Sequence, residues 1–288
     1  MGEELTEERS DTIPIFPRTR LITDRILELR NLRKTHVRHN GNQKDDLLVL
    51  EDISFDVDEG EFVTIIGPSG CGKSTLLNII AGMESYQGGD VVVSGHRVST
   101  LGPDIVMIFQ EDSLFPWLTV LENVAFGLRN KGIPKEERKK TAMKYIELVQ
   151  LEQFANSYMH QLSGGMKQRV AIARGLAMNP RILLMDEPFG ALDYRTREIL
   201  QGQIQEIHEK TKKTILFVTH DVREAASLGD RVILLSHRPS KIKREYAIDL
   251  PRPRSAEDPQ LHGLINEIQR QLKEEVKFAE PNGTGISA

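Results

Sequence analysis

Several things are scarce in this 288-residue sequence, and each scarcity excludes something. Cysteine occurs once, at Cys71, so no disulfide can close within the chain and a reducing cytosol is the expected compartment. Tryptophan also occurs once, and aromatic residues make up only 6%. No apolar run approaches the roughly 20 residues that a membrane-spanning helix needs. The first residues, Met1 to Glu8, are acidic and lack the apolar region of a secretory signal. Neither sign of charge dominates: 38 Lys and Arg against 42 Asp and Glu leave −4, spread through the chain, which argues against a nucleic-acid-binding surface. Any membrane role is therefore expected to be that of a soluble subunit. The length suits one large domain or two modest ones, with enough chain to bury a core.

What is present begins with Gly67-Pro68-Ser69-Gly70-Cys71-Gly72-Lys73-Ser74-Thr75. This fits the phosphate-binding loop pattern of Gly, four residues, then Gly-Lys-Ser/Thr. The flanks fit as well. Phe62 to Ile66 reads as a buried strand, and Leu76, Leu77, Ile80 and Ala81 fall on one face of a following helix. A strand, a glycine-rich turn and a helix N-terminus form an anion site, because backbone N–H groups and the helix dipole point at the phosphates. Lys73 is expected to reach the β- and γ-phosphates and the Ser74 hydroxyl to hold Mg²⁺. Cys71 can be a small residue that fits the loop, or a reactive thiol if the helix N-terminus lowers its pKa.

Along the chain, residues 1–24 are polar and interrupted by Pro14 and Pro17, which suggests a mobile tail. Ile26 to Leu32 and Leu48 to Val57 read as strands, separated by a polar loop from Val37 to Asp46. Gly88-Gly89-Asp90 reads as a turn before the strand Val91 to Val93, and Ile105 to Phe109 as a further short strand. From there to Met178 the character changes: helices are expected over 119–130, 135–150 and 163–178, the middle one burying Ala142, Tyr145, Ile146 and Val149. A buried strand, Ile182 to Met185, precedes a helix over 194–211. Strand 214–218, a short helix at 221–228 and strand 232–235 follow. Beyond Pro251-Arg252-Pro253-Arg254, Leu261, Leu264, Ile265, Ile268 and Leu272 have helical spacing. The expected fold is α/β: a P-loop core with a mostly parallel sheet, a helical subdomain inserted at about 111–178, and a small antiparallel β part on the N-terminal side. The cassette core is expected over 25–250, with residues 251–288 as a one-helix extension.

Two further motifs carry chemistry. The strand ending in Asp186-Glu187 is a usual partner of a phosphate loop: Asp186 can hold Mg²⁺ and Glu187 can polarise the water that attacks the γ-phosphate. Leu162-Ser163-Gly164-Gly165-Met166-Lys167-Gln168-Arg169 opens a helix with a serine N-cap, which makes a second anion site. One triphosphate does not need two cradles on one chain. Two copies packed head to tail, each offering its Ser163 turn to the other's phosphate loop, would account for both.

With these residues assembled, the sequence resembles an ATP-binding cassette (ABC) ATPase from about Ile26 to Leu250. The resemblance rests on the P-loop, Gln110, the Leu162-to-Gly165 signature, Asp186-Glu187, Ala191-Leu192-Asp193 and His220. It implies ATP and Mg²⁺ as cofactors. Glu187, His220, Lys73 and Gln110 would be the catalytic group, and Ser74, Gln110 and Asp186 would surround the metal. Gly67, Ser69 to Thr75, Ser163, Gly164, Gly165 and Asp193 would make up the binding surface. It also implies a second ATP-binding subunit, an integral-membrane permease and, indirectly, an extracytoplasmic solute-binding protein. The place implied is the cytoplasmic face of a bacterial inner membrane. Phe115-Pro116-Trp117-Leu118-Thr119-Val120, Met185 to Asp193 and Leu235-Ser236-His237-Arg238-Pro239 are similar to the nitrate/sulfonate/taurine group of importers. Phe115 and Trp117 suit either a permease-facing surface or the core of the helical part.

One position departs from that pattern. The family stacks adenine on an aromatic residue in the loop after the first strand, and none occurs between Phe16 and Phe55. His36 is the nearest match, and its smaller ring implies loose base recognition. Other readings are a non-transporting ATPase of the same superfamily, an exporter subunit, and a GTPase switch. The first usually carries tandem cassettes or a long coiled-coil insertion, and the second a fused membrane span. The third needs Asn-Lys-x-Asp, whereas Asn130-Lys131 is followed by Gly132-Ile133.

Overall fold

The computed structural model describes residues 25–40, 43–98, 100, 102, 104–110, 113–190 and 192–279. The proposed tail at 1–24 and Ala191 lie outside them. The chain forms ten strands and seven α-helices among these residues, arranged in two sheets with helices against both faces of the larger one.

The larger sheet has the order β10-β9-β3-β8-β7-β6. Its centre is β3 (Phe62–Ile66), β8 (Thr214–Val218), β7 (Ile182–Asp186), β9 (Arg231–Leu235) and β6 (Ile105–Ile108), paired in parallel throughout. These strands read as unbroken apolar runs because helices cover both faces, and β3, β8 and β9 are buried at every residue. On one side, α1 (Lys73–Ile80) is held between this sheet and a four-stranded antiparallel one, in the order β2 (Gln43–Asp58), β1 (Arg25–Asn40), β4 (Gly88–Val93) and β5 (His96–Arg97). Their shared core includes Leu76, Leu77, Ile79 and Ile80 of the helix, Leu27, Leu29 and Val91 of the small sheet, and Val63, Ile65 and Leu216 of the large one. On the other side, α2 (Val120–Asn130), α3 (Lys135–Leu148), α4 (Gly164–Ala177) and α5 (Tyr194–Thr211) contribute to a core with Phe62, Met185 and Phe217. This is the α/β architecture expected.

Local chemistry sets the helix starts. Thr119 and Glu122 form a reciprocal capping box at α2, and Ser163, Asp193 and Asp221 each cap the helix that follows, the last being α6 (Val222–Leu228). Ala142 and Ile146 of α3 and its C-cap Val149 are buried as the spacing predicts, whereas Tyr145 is only half-buried.

Two local expectations are corrected, and one strand was not foreseen. Residues 37–40 and 43–46 are not loop but the paired far ends of two long strands. There β1 (Arg25–Asn40) and β2 (Gln43–Asp58) pair through Val37 with Asp46 and on to Asn40 with Gln43. Backbone pairing does not require apolar side chains, so a polar strand end leaves no hydropathic trace. Gly88-Gly89-Asp90 is not a turn but the start of β4 (Gly88–Val93). Gly89 sits at φ 86, where a Cβ would lie 2.4 Å from the carbonyl oxygens of Arg30 and Asn31. The glycine pair therefore serves a shift in register against β1. Finally β10 (Ile242–Ala247), antiparallel to β9, has no counterpart in the sequence reading, because most of its residues are charged or half-exposed.

The Pro-Arg-Pro-Arg segment works as a strap. Arg252 meets Asp230 at 2.6 Å, Arg254 donates to Gly229 O at 2.7 Å, and Gln205 hydrogen-bonds the Arg254 backbone at both N and O. The strap delivers α7 (Pro259–Ala279) onto α6 and β9, where Leu261, Ile265 and Ile268 are buried with Val222, Val232 and Leu234. Among the described residues no helix is long and apolar enough to cross a membrane.

Candidate functional site

Four parallel strands end at the same edge of the sheet, the usual place for a site in an open α/β fold. The phosphate loop follows β3, Gln110 follows β6, Asp186 ends β7 with Glu187 next, and His220 follows β8. Sequence separation had scattered these residues; the parallel crossovers bring them together.

The loop before α1 has the shape of a cradle. Gly72, at φ 112, precedes the helix without any side-chain cap. A Cβ there would lie 2.7 Å from Val49 Cγ1 and 3.0 Å from Leu50 Cδ2, so β2 presses directly on the turn and only glycine fits. Lys73 is buried and donates to Gly67 O at 2.9 Å and Pro68 O at 3.1 Å, which folds its stem around the loop. A cavity of about 370 Å³ opens above, lined by His36, Val49, Ser69, Gly70, Gly72, Lys73, Ser74, Thr75, Glu187 and Arg238.

At the end of β7, burial pushes the Asp186 carboxyl above the usual range. The Ser74 hydroxyl that hydrogen-bonds it and the Lys73 charge oppose this, while Glu187 adds to it. Asp186 Oδ1 is buried and has no hydrogen-bond partner. An orphaned carboxylate oxygen beside a hydroxyl suits a hard divalent cation, which would restore the charged form. Among the described residues no cluster of three or more His, Cys, Asp or Glu surrounds such an ion. Mg²⁺ is normally held with one or two carboxylates plus phosphate oxygens and water, so the residues fit it.

Glu187 is turned out of the strand by a left-handed backbone, φ 45, while its N–H still pairs with Val218 O at 3.0 Å. This is an uncommon conformation for a non-glycine residue. It aims the carboxylate at His220, whose Nδ1 lies 3.0 Å from Glu187 Oε2. Gln110 lies against the turn after Glu187, its Nε2 being 3.2 Å from where a Gly190 Cβ would stand. A cradle for a polyphosphate, an orphaned carboxylate and a carboxylate–imidazole pair thus share one sheet edge.

Comparison with known proteins agrees with this geometry. Residues 50–190 match the ABC transporter family. An uncharacterized ABC transporter ATP-binding protein of Methanocaldococcus jannaschii is 50% identical over 87% of this chain and 92% of its own length. The chain belongs to the ABC transporter ATP-binding family. The nitrate import ATP-binding protein NrtD of Synechocystis sp. is 47% identical over 78% of this chain and 83% of that protein. The bicarbonate transport ATP-binding protein CmpC of Synechococcus elongatus is 44% identical over 90% of this chain, which spans 40% of CmpC. A solved dimeric post-hydrolysis ATP-binding cassette with ADP and Pi superposes with a TM-score of 0.68. It is 37% identical and covers 78% of this chain and 100% of its own. The cassette is accordingly an ATPase of the transport-coupled kind.

Other residues named from the sequence stand as follows. His36 lines the cavity, but its Nε2 lies 3.4 Å from Glu84 Oε1, which Lys34 also approaches at 3.0 Å. Cys71 does not line the cavity. It is 1% exposed, its Sγ lies 2.9 Å from a Cβ position on Gly67, and burial raises its pKa despite the Lys73 charge. The reactive-thiol alternative is thereby set aside. Ser163, Gly164 and Gly165 are absent from the cavity lining. The turn rests instead on the segment after β7, where Gly165 leaves no room for a Cβ beside Thr196. Asp193 is occupied as the cap of α5, accepting from Thr196 N at 3.0 Å, and those hydrogen bonds lower its pKa. Val49 and Arg238 line the cavity and were not marked by sequence reasoning. Arg238 lay within a motif quoted only for its resemblance, and Val49 reads as an ordinary strand residue.

Proposed function

We propose that this chain is the ATP-hydrolysing subunit of an importer for a small anion such as nitrate, a sulfonate, taurine or bicarbonate. The permease would be a separate membrane protein, served by an extracytoplasmic solute-binding protein. The observation that carries the mechanism is the 3.0 Å contact between His220 Nδ1 and Glu187 Oε2 at the mouth of the Lys73 cavity. Together with the Ser163 turn, which lies outside that cavity, it supports a cycle in which two copies each complete the other's site.

In this cycle Lys73 and the loop amides bind the ATP phosphates. The residues that would hold Mg²⁺ are Ser74, Asp186 and Gln110, and the ion supplies neutralisation of phosphoryl charge when bound. Glu187 accepts a hydrogen bond from the attacking water and takes its proton as the water oxygen bonds to the γ-phosphorus and the bond to the β,γ-bridging oxygen breaks. His220 holds the Glu187 carboxylate on one side and reaches the γ-phosphate. Closing of the dimer on ATP shifts the population of the permease, because the γ-phosphate contacts exist only in the closed state.

The docking face for the permease is proposed at the end of β6, where an apolar groove of about 340 Å³ runs between Phe109, Phe115, Phe126 and Met178. Trp117, which is 69% exposed, stands beside Phe115 at a ring separation of 5.6 Å. Such a docking face fits a subunit that works peripherally on the cytoplasmic face of the membrane. The nitrate, bicarbonate and taurine names of relatives at 44–47% identity support the solute class. The test is Glu187→Gln: ATP binding should persist while steady-state hydrolysis falls at least about a hundredfold, leaving an ATP-bound dimer on size-exclusion chromatography. Turnover at the normal rate would remove Glu187 from this role.

A further inference from the structure

The turn between β9 and β10 is tied to the phosphate loop, to β2 and to α7, yet it presents one charge with no partner among the described residues. Leu235 Cβ and O each lie 3.1 Å from a Cβ position on Gly67, so the turn begins against the phosphate loop. Ser240 N donates to Val49 O at 2.8 Å and Glu51 N to Ser240 O at 2.9 Å, which ties the turn to β2 beside the cavity. Ser236 and Ser240 close it internally. On its outer side stands Glu275, a buried carboxylate from the far end of α7. Glu275 Oε2 accepts from His237 N at 2.9 Å and lies 2.8 Å from His237 Nδ1, and Lys243 Nζ meets its other oxygen at 2.7 Å. One carboxylate thus grips both the backbone and the ring of the residue before Arg238.

Arg238 itself is exposed, lines the cavity, and makes no hydrogen bond or ion pair with another described residue. Lys73, the other strong cation of the cavity, already gives hydrogen bonds to Gly67 O and Pro68 O. A turn tied down along its backbone sets where the Arg238 guanidinium can reach, at the rim of a polyphosphate cavity, and its planar donors suit phosphate oxygens.

We propose that Arg238 is a polyphosphate-binding residue of the nucleotide site and that Glu275, from the C-terminal helix, is its positioning residue. The proposal rests on the reading of the cavity as the nucleotide site. It makes the strap and α7 part of that site, so the extension sets nucleotide affinity in addition to covering β9.

The test is calorimetric titration of the full chain with ADP at two salt concentrations, together with the ATP dependence of hydrolysis. Arg238→Gln should weaken ADP about tenfold, equivalent to about 1.4 kcal/mol, and flatten the salt dependence by removing a charge contact. Arg238→Lys should keep part of the affinity. Glu275→Gln should weaken ADP about threefold and raise KM for ATP, yet add nothing in the Arg238→Gln background, because it acts through Arg238. Unchanged ADP affinity in Arg238→Gln would overturn the assignment. A Glu275→Gln effect of the same size in both backgrounds would overturn the positioning role. Lys73→Ala separates the two levels: if it left ADP binding intact, the nucleotide-site reading itself would fail.

Discussion

Replacing Gly72 by Ala tests whether β2 shapes the phosphate loop. Two costs are expected. Gly72 stands at φ 112, and an L-residue forced to positive φ costs about 1–2 kcal/mol. The added Cβ would also lie 2.7 Å from Val49 Cγ1 and 3.0 Å from Leu50 Cδ2, and overpacking of this kind costs about 1–3 kcal/mol. Restriction of the unfolded chain returns about 0.4–1 kcal/mol, so the net loss is about 1–4.5 kcal/mol. Gly70 provides the control: its φ is 72 and nothing lies within 4 Å of its Cβ position. Gly70→Ala should therefore lose only about 1 kcal/mol. At roughly 2–4 °C per kcal/mol for a chain of this order, the overpacking cost of about 1–3 kcal/mol should separate the two variants by about 2–12 °C in thermal unfolding. Val49→Ala combined with Gly72→Ala should recover part of the gap by relieving the close contact. Equal melting temperatures for Gly70→Ala and Gly72→Ala would refute the argument that β2 limits the loop.

Two other outcomes are expected. Burial alone would raise the Glu275 carboxyl, but hydrogen bonds from Lys243 and His237 outweigh it and hold the pKa at about 2, against 4.5 for an ordinary glutamate. The folded state then binds fewer protons between those values, so this contribution is full above about pH 4.5 and is lost as pH falls toward 2. Acid titration of stability in Glu275→Gln should show a shallower fall over that window than the parent, and an identical slope would count against the clamp. At His36, competition of GTP against ATP should show less than about tenfold discrimination. A strong preference for ATP that vanished in His36→Ala would show that the imidazole reads the base after all.

Much of the site was legible because its chemistry is local. The glycines and Lys73 must be contiguous to wrap a phosphate, Ser163 must directly precede α4 to cap it, and Asp186 must end a buried strand. Each requirement leaves a short pattern. The expected helix over 163–178 corresponds to α4 with Ser163 as its cap, because hydroxyl and backbone N–H meet within one turn. The pairing of residues 37–40 with 43–46 was not legible, since its order comes from backbone pairing between residues without apolar alternation. Nor was β10, whose partner β9 supplies the ladder while its own side chains face water and α7.

Sequence alone determined which candidate groups make up the phosphate loop, the helix caps and the strand-end carboxylates, and pointed to the family, because such features are made by neighbours along the chain. Tertiary structure alone decided how those groups are held. The 3.0 Å approach of His220 to Glu187, the pressure of Val49 on Gly72 and the grip of Glu275 on His237 join residues far apart in the chain. Such contacts depend on the order of parallel strands and on where the Arg252–Arg254 strap lays the last helix, and packing of that range leaves no periodicity or motif behind.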